Sequence, residues 1–230
     1  MMSLYDFPDR TDNFTGRWEE LQYIDEKLSK SSTVTITGSL GVGKTSLAVE
    51  YGYRTKKYDN VCFFRCGNSI GKWLLRLADY FKIEKTLQNE IRITKLKEFL
   101  GNCNLHFLIV IDSIEDDDFS IDFIRKIFPS SYNYIFTSRI PSEDSIELQN
   151  MPLKMGALYL TFMTGLVDLE DAESVSEALQ GWPLGLRRAA YLISQSKIGF
   201  SRFLRVFDKN SQIRNRVFGE EHTNVKAVTY

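Results

Sequence analysis

The stretch GSLGVGKTS, Gly38 to Ser46, constrains this chain more than any other. Gly38, Ser39, Leu40, Gly41, Val42, Gly43, Lys44 and Thr45 fit G-x-x-x-x-G-K-[ST] in full, and Ser46 continues the loop into the next segment. The β-branched run TVTIT (33–37) precedes it, and the residues from Lys44 to Lys57 read as a helix. Glycines at 38, 41 and 43 let the backbone turn tightly and approach a ligand without a Cβ in the way. Successive N–H groups then point at phosphate oxygens, backed by the N-terminus of the following helix. Lys44 would reach the β- and γ-phosphates, and the Thr45 hydroxyl would ligate Mg²⁺. A glycine turn joining a strand to a helix is the plainer reading of the same letters. The flanking strand and helix are the context that a phosphate cradle requires.

The rest of the chain is organised to suit. Segments 61–66 (VCFFRC), 104–112 (NLHFLIVID), 132–138 (YNYIFTS) and 145–148 read as strands, with helices at 71–81, 87–100 and about 121–128 between them. Strands alternating with helices imply right-handed βαβ units and a mostly parallel sheet. After about Met151 the strand signal stops, and 153–165, 172–181 and 183–196 read as helices, the last opening on a proline. The expected fold is α/β, a P-loop NTPase with a mostly parallel sheet flanked by helices, followed by a small all-helical domain. The expected boundaries are 1–13, a polar irregular extension; 14–150, the α/β nucleotide-binding domain; 151–212, the helical domain; and 213–230, a tail.

Two further positions carry chemistry. Asp112 ends the most apolar strand, where a carboxylate can hold magnesium through its water shell; a turn or helix-cap aspartate is the competing reading. The next residue, where hydrolytic relatives place an acid, is Ser113, a poor base. Glu115 or Asp116 could substitute, although the acid run Glu115–Asp118 reads equally as a solvated loop. Arg139 directly follows the strand ending at Ser138, where a cation can touch a γ-phosphate; spacing alone balances this against an ordinary solvent-facing arginine.

Composition bounds the partners. The chain has 230 residues and a formal net charge of -1, with Lys and Arg scattered, which argues against a large nucleic-acid footprint. No apolar run approaches the roughly 20 residues that span a bilayer. The start MMSLYDFPDR lacks a secretory pattern, so no membrane partner and a cytoplasmic location are expected. Cys62, Cys66 and Cys103 lack zinc-site spacing and read as reduced core thiols.

Five motifs in order resemble the NB-ARC ATPases of the STAND class, the switch modules of apoptotic and innate-immune regulators. They are Phe14-Thr-Gly16-Arg17 with Glu19 and Glu20, then GSLGVGKTS, FLIVIDS, YIFTSR and Gly181-Trp182-Pro183-Leu184. The last is similar to the family's Gly-Leu-Pro-Leu, with Trp182 replacing Leu. The resemblance covers residues 14 to about 195. It implies ATP or ADP with Mg²⁺ as ligand, Phe14, Gly16 and Arg17 near the adenine, Arg139 as γ-phosphate sensor, and Pro183 packing on the base. It also implies a signalling switch that self-associates or engages a protein partner, with slow ATP hydrolysis at most. The family's Met-His-Asp motif is not found, and HTNVKAVTY resembles the approach to a winged-helix domain, as in a fragment or a short form. The alternatives are an active ATPase that remodels a protein or nucleic-acid partner, and a structural role in which nucleotide only holds the protein together.

Overall fold

The computed structural model describes residues 2–11, 13–114, 126–142 and 145–219. Its residues fall into two units, Met1–Asp12 with Arg17–Gly38 and Lys44–Glu147, and Asn13–Gly16 with Ser39–Gly43 and Leu148–Tyr230.

The first unit is built on strands β1 (Ser3–Tyr5), β2 (Thr33–Gly38), β3 (Asn60–Arg65), β4 (Phe107–Ile114), β5 (Asn133–Ser138) and β6 (Ser145–Leu148). They form one six-stranded sheet in the order β1-β3-β4-β5-β2-β6, and the β1–β3, β3–β4, β4–β5 and β5–β2 pairs are all parallel. Parallel strands are covered on both faces, so their sequences run almost continuously apolar. The first six residues of β4 are all buried, as are the first five of β3. Helices α1 (Trp18–Lys30), α2 (Lys44–Arg54), α3 (Ile70–Tyr80) and α4 (Asn89–Asn102) flank this sheet. The expected helix at about 121–128 lies largely outside the described residues. The core on one side is strongly aromatic: the Trp73 ring meets Tyr5, Phe64 and Phe128 edge-on, and its indole N–H donates to the Phe63 carbonyl at 2.9 Å. Cys62 lies inside this core, where burial pushes its thiol far up, and Cys66 is pushed up to about 11 for the same reason. Both are thus poor nucleophiles, and all three cysteines are free.

The segment read as an irregular extension is in fact part of this unit. Ser3–Tyr5 pairs in register with Asn60–Cys62 at the sheet edge. Beyond it, the Phe7 ring fills the space over Gly52, the Tyr53 hydroxyl donates to the Pro8 carbonyl at 3.0 Å, and Arg10 makes a two-pronged bond to Glu50 at 2.8 and 2.7 Å. Three residues of strand carry too little periodicity to be seen in a sequence; their partner in β3 defines them.

The second unit contains helices α5 (Leu153–Thr164), α6 (Leu169–Ala178), α7 (Pro183–Ser196), α8 (Phe200–Lys209) and α9 (Ser211–Phe218). Its core joins Leu160, Val175, Leu186 and Ile193 to Phe203, Phe207 and Val217. Helix α9 thus carries structure six residues past the expected end of the helical domain at 212, because Val217 is buried in that core. The remaining tail residues, 220–230, lie outside the described residues.

Gly181 has φ +64, and a Cβ there would sit 2.0 Å from the Met151 carbonyl oxygen, while the Met151 N–H donates to the Gly181 carbonyl at 2.9 Å. The glycine of the GWPL motif is therefore fixed by packing. Gly181→Ala is expected to destabilise the protein by about 2 kcal/mol or more. Gly101→Ala, where a Cβ on α4 meets nothing within 4 Å, should stabilise by about 0.5 kcal/mol. Urea unfolding of both variants checks the contrast.

Glu50 offers a second test. The Arg10 hydrogen bonds, with help from Arg54 and against the opposing effect of burial, hold its carboxyl below the ordinary 4.5. A lowered folded value means that the stabilisation is complete above the unfolded value and is lost as pH falls through the folded one. Thermal unfolding should therefore show a loss of stability below about pH 4.5 that Glu50→Gln reduces.

Candidate nucleotide-binding site

Strand β2 delivers the chain to the loop, and α2 begins at Lys44. The Lys44 ammonium donates to the Gly38 carbonyl at 2.7 Å, folding the long side chain back over the start of the loop. Gly43, at φ +105, faces open space: a Cβ there would meet nothing within 4 Å.

Asp112 sits at the end of β4 and is 1% exposed. A buried carboxylate needs donors, and four side chains direct theirs at it. The Thr45 hydroxyl donates to Oδ1 at 2.6 Å and the Thr137 hydroxyl to the same oxygen at 2.7 Å. Arg65 Nε donates to Oδ2 at 3.2 Å, and Ser113 Oγ to Oδ2 at 3.4 Å. The two sequence-derived metal candidates, Thr45 and Asp112, are thus in direct contact, and hydroxyl and carboxylate oxygens suit a hard cation such as Mg²⁺. Among the described residues there is no cluster of three or more His, Cys, Asp or Glu that could hold a metal unaided. This donor set fits a cation that arrives with phosphate oxygens of its own.

A bulge creates the arrangement. Ile111 pairs with Phe136 and Ile114 with Ser138, so Asp112 and Ser113 together oppose Thr137. Ser113 takes the left-handed conformation at φ 64, and its N–H donates to the Thr137 hydroxyl oxygen at 2.8 Å. One threonine thus satisfies the carboxylate and the turned amide together. Sequence reading missed both Thr137 and Arg65. Arg65 lies directly across from Asp112 in the β3–β4 register, which no motif records. Arg139 follows β5, the strand beside β2, and is exposed. Glu115 and Asp116, the alternative acids, lie outside the described residues.

The other candidates lie in the second unit, apart from Arg17, whose guanidinium pairs with Glu20 at 2.7 Å just ahead of α1. Phe14 is half-buried, and a Cβ on Gly16 would touch the Met155 methyl at 3.5 Å. Pro183 occupies the first turn of α7, with Trp182 as its cap. The loop crest, Ser39–Gly43, groups with these residues. There the buried Trp182 indole donates to the Leu40 carbonyl at 2.9 Å, and the Leu184 N–H donates to the Gly41 carbonyl at 3.2 Å. A Cβ at Gly41 would lie 2.8 Å from both Leu184 Cβ and the indole nitrogen, so glycine is required there by its neighbours. The tryptophan was visible in the sequence as a departure from the family pattern; its hydrogen bond to the loop was not.

No protein-family model matches the chain. Its sequence is 24% identical over 238 residues to a nucleotide-binding leucine-rich repeat (NLR)-like protein of Hyaloscypha variabilis, covering 86% of this chain and 24% of that protein. In structure it is similar to the Signal Transduction ATPase with Numerous Domains (STAND) protein with a tetratricopeptide repeat sensor from Pyrococcus horikoshii. That match has a TM-score of 0.54 and 16% identity, over 79% of this chain and 30% of the other. It is also similar to a Walker-type ATPase of Pyrococcus abyssi, with a TM-score of 0.64 and 14% identity, over 96% and 77% of the two chains. These likenesses show a P-loop NTPase fold. The chain spans about a quarter of the length of the Hyaloscypha protein. Among its described residues no helix is long and apolar enough to cross a membrane.

Thr137→Val should leave the Ser113 N–H without its acceptor and Asp112 short of a donor, destabilising the protein by about 1–3 kcal/mol. Thr137→Ser, which keeps the hydroxyl, should unfold close to wild type in the same denaturant titration.

Proposed function

We propose that the chain is a nucleotide-state switch of NB-ARC type. Its loop Gly38–Ser46 binds ATP or ADP, Lys44 holds the terminal phosphates, and Thr45 and Asp112 hold Mg²⁺. Phe14, Gly16 and Arg17 lie near the adenine, Pro183 packs on it, and Arg139 reads the γ-phosphate. The helical unit reports the bound state, and that state controls self-association in a cytoplasmic signalling pathway of cell-death or immune-like kind.

One observation carries this reading. The buried Asp112 is bonded to Thr45 of the loop, while the next position is a turned serine whose amide is engaged by Thr137. A metal-holding carboxylate without an acid beside it favours retention of nucleotide over rapid turnover. The hydrogen bonds from Trp182 and Leu184 to the loop crest support a helical unit responsive to the loop. The NLR-like and signal-transduction descriptions of the relatives agree with a signalling role. A bound nucleotide moves such an equilibrium only by the difference in its affinity for the two states.

Isothermal titration should show Mg-ATP and ADP binding to the wild type and none to Lys44→Ala. At a hundredfold excess over Kd, nucleotide should add about 2.7 kcal/mol of stability that the variant lacks. Sedimentation in ATP and in ADP should give different oligomer distributions. Absence of binding by the wild type refutes the proposal. Equal distributions reduce nucleotide to a structural role, and steady turnover that depends on Asp112 and on Glu115 or Asp116 favours a working ATPase.

A further inference from the structure

The net charge of -1 is an average over strongly segregated regions. From Pro183 to Phe218 the chain carries eight arginines and lysines and one acid, Asp208, whereas Met151–Trp182 carries one lysine and five acids. Solvated faces ordinarily mix signs, as α1 does with Glu19, Glu20, Lys27 and Lys30. Two of the eight have structural work. Arg188 donates to the Val217 carbonyl at 3.0 Å, and Arg214 donates to carbonyls at the end of α8.

Arg202, Arg205 and Lys209 have no such work. At 100° per residue they fall within about 60° of arc on α8, opposite the buried Phe200, Phe203 and Phe207. All three are exposed, and none makes an ion pair among the described residues. An open groove of about 640 Å³ runs beside them, lined by Arg205, Lys209 and the neutral donors Asn210, Ser211 and Gln212. A second groove, about 710 Å³, shares Arg205 and continues to Arg202; Asp168 and Asp171 stand at its far side. The three cations span on the order of 10 Å along the helix axis, which matches about three phosphates along one strand at 3.4 Å each.

We infer that this face of α8, with the start of α9, binds the phosphodiester backbone of double-stranded nucleic acid without reading its sequence. The chemistry selects this partner over two others. Guanidinium forks match phosphate oxygens in pairs. None of the exposed large apolar side chains lies between 192 and 218, so the face lacks both the wedge that a lipid surface needs and the aromatic platform that single strands stack on.

The test is fluorescence anisotropy of the full chain with a labelled 20-base-pair DNA duplex between 25 and 200 mM salt. Wild type should bind two duplexes of unrelated sequence equally, weakening as salt rises. Arg202→Glu/Arg205→Glu/Lys209→Glu should bind at least tenfold more weakly, and the log–log salt slope should fall by about two to three. The glutamine triple variant should give the same direction with a smaller loss, and circular dichroism melts show that both variants fold. The inference fails if wild type does not bind at 25 mM salt. It also fails if either folded triple variant binds like wild type, or if phosphatidylserine vesicles or an unlabelled single strand bind the face more tightly than duplex.

Discussion

A charge removed from water is the constraint on which the α/β unit turns. Asp112 is almost fully buried, and an unpaired carboxylate in that position would be costly enough to destabilise its surroundings. Its donors come from α2, β3, β5 and the bulge of β4 itself. Each must arrive within hydrogen-bond reach, which fixes the registers of three parallel strands and the entry of α2 together. A one-residue slip of β3 or β5 would turn Arg65 or Thr137 to the opposite face of the sheet. The carboxylate therefore acts as a gauge of correct assembly. The strand order permits it: β5 stands beside β4, so its threonine can reach the carboxylate at the end of that strand.

The loop itself is held at two levels by different chemistry. At its base, Lys44 and Thr45 spend side-chain donors on Gly38 and Asp112. At its crest, the backbone carbonyls of Leu40 and Gly41 accept from the indole of Trp182 and the amide of Leu184. Carbonyls engaged in this way orient their peptides, and a peptide whose C=O is fixed on one side presents the next N–H on the other. The Trp-for-Leu difference matters here, because leucine can pack on a glycine but cannot donate a hydrogen bond. Gly41 accommodates the indole only because it lacks a Cβ. The glycine usually credited to phosphate approach is thus required from the protein side as well.

How much of this was legible depended on how local the cause was. The phosphate-loop pattern, the apolar run into Asp112 and the change from alternating elements to consecutive helices are contiguous letters, and each corresponds to the element expected of it. Thr137 and Arg65 are not legible, because their importance comes from register across strands far apart in sequence. Strand β1 is three residues long and exists because β3 offers an edge. Helix α8 could have been found, since Phe200, Phe203 and Phe207 recur at helical spacing. Trp182 carried a signal too: a buried indole has one N–H to satisfy, and that donor needs a partner somewhere.

Charge shows the same lesson at a larger scale. Summing over the chain makes the protein look indifferent to polyanions, and the sum is correct. Electrostatic recognition, however, acts over about a Debye length, roughly 8–10 Å in ordinary salt, so a partner meets one helix face and not the whole chain. Many of the acids that balance the total lie on α1 or are paired with cations inside the α/β unit, as Glu50 is with Arg10 and Arg54. Paired charges contribute little field at a distance, because their partners cancel them. On α8 the three cations make no ion pair among the described residues and share their groove with Asp168 and Asp171 at its far side. What a neutral chain can bind is decided by which of its charges are already spoken for.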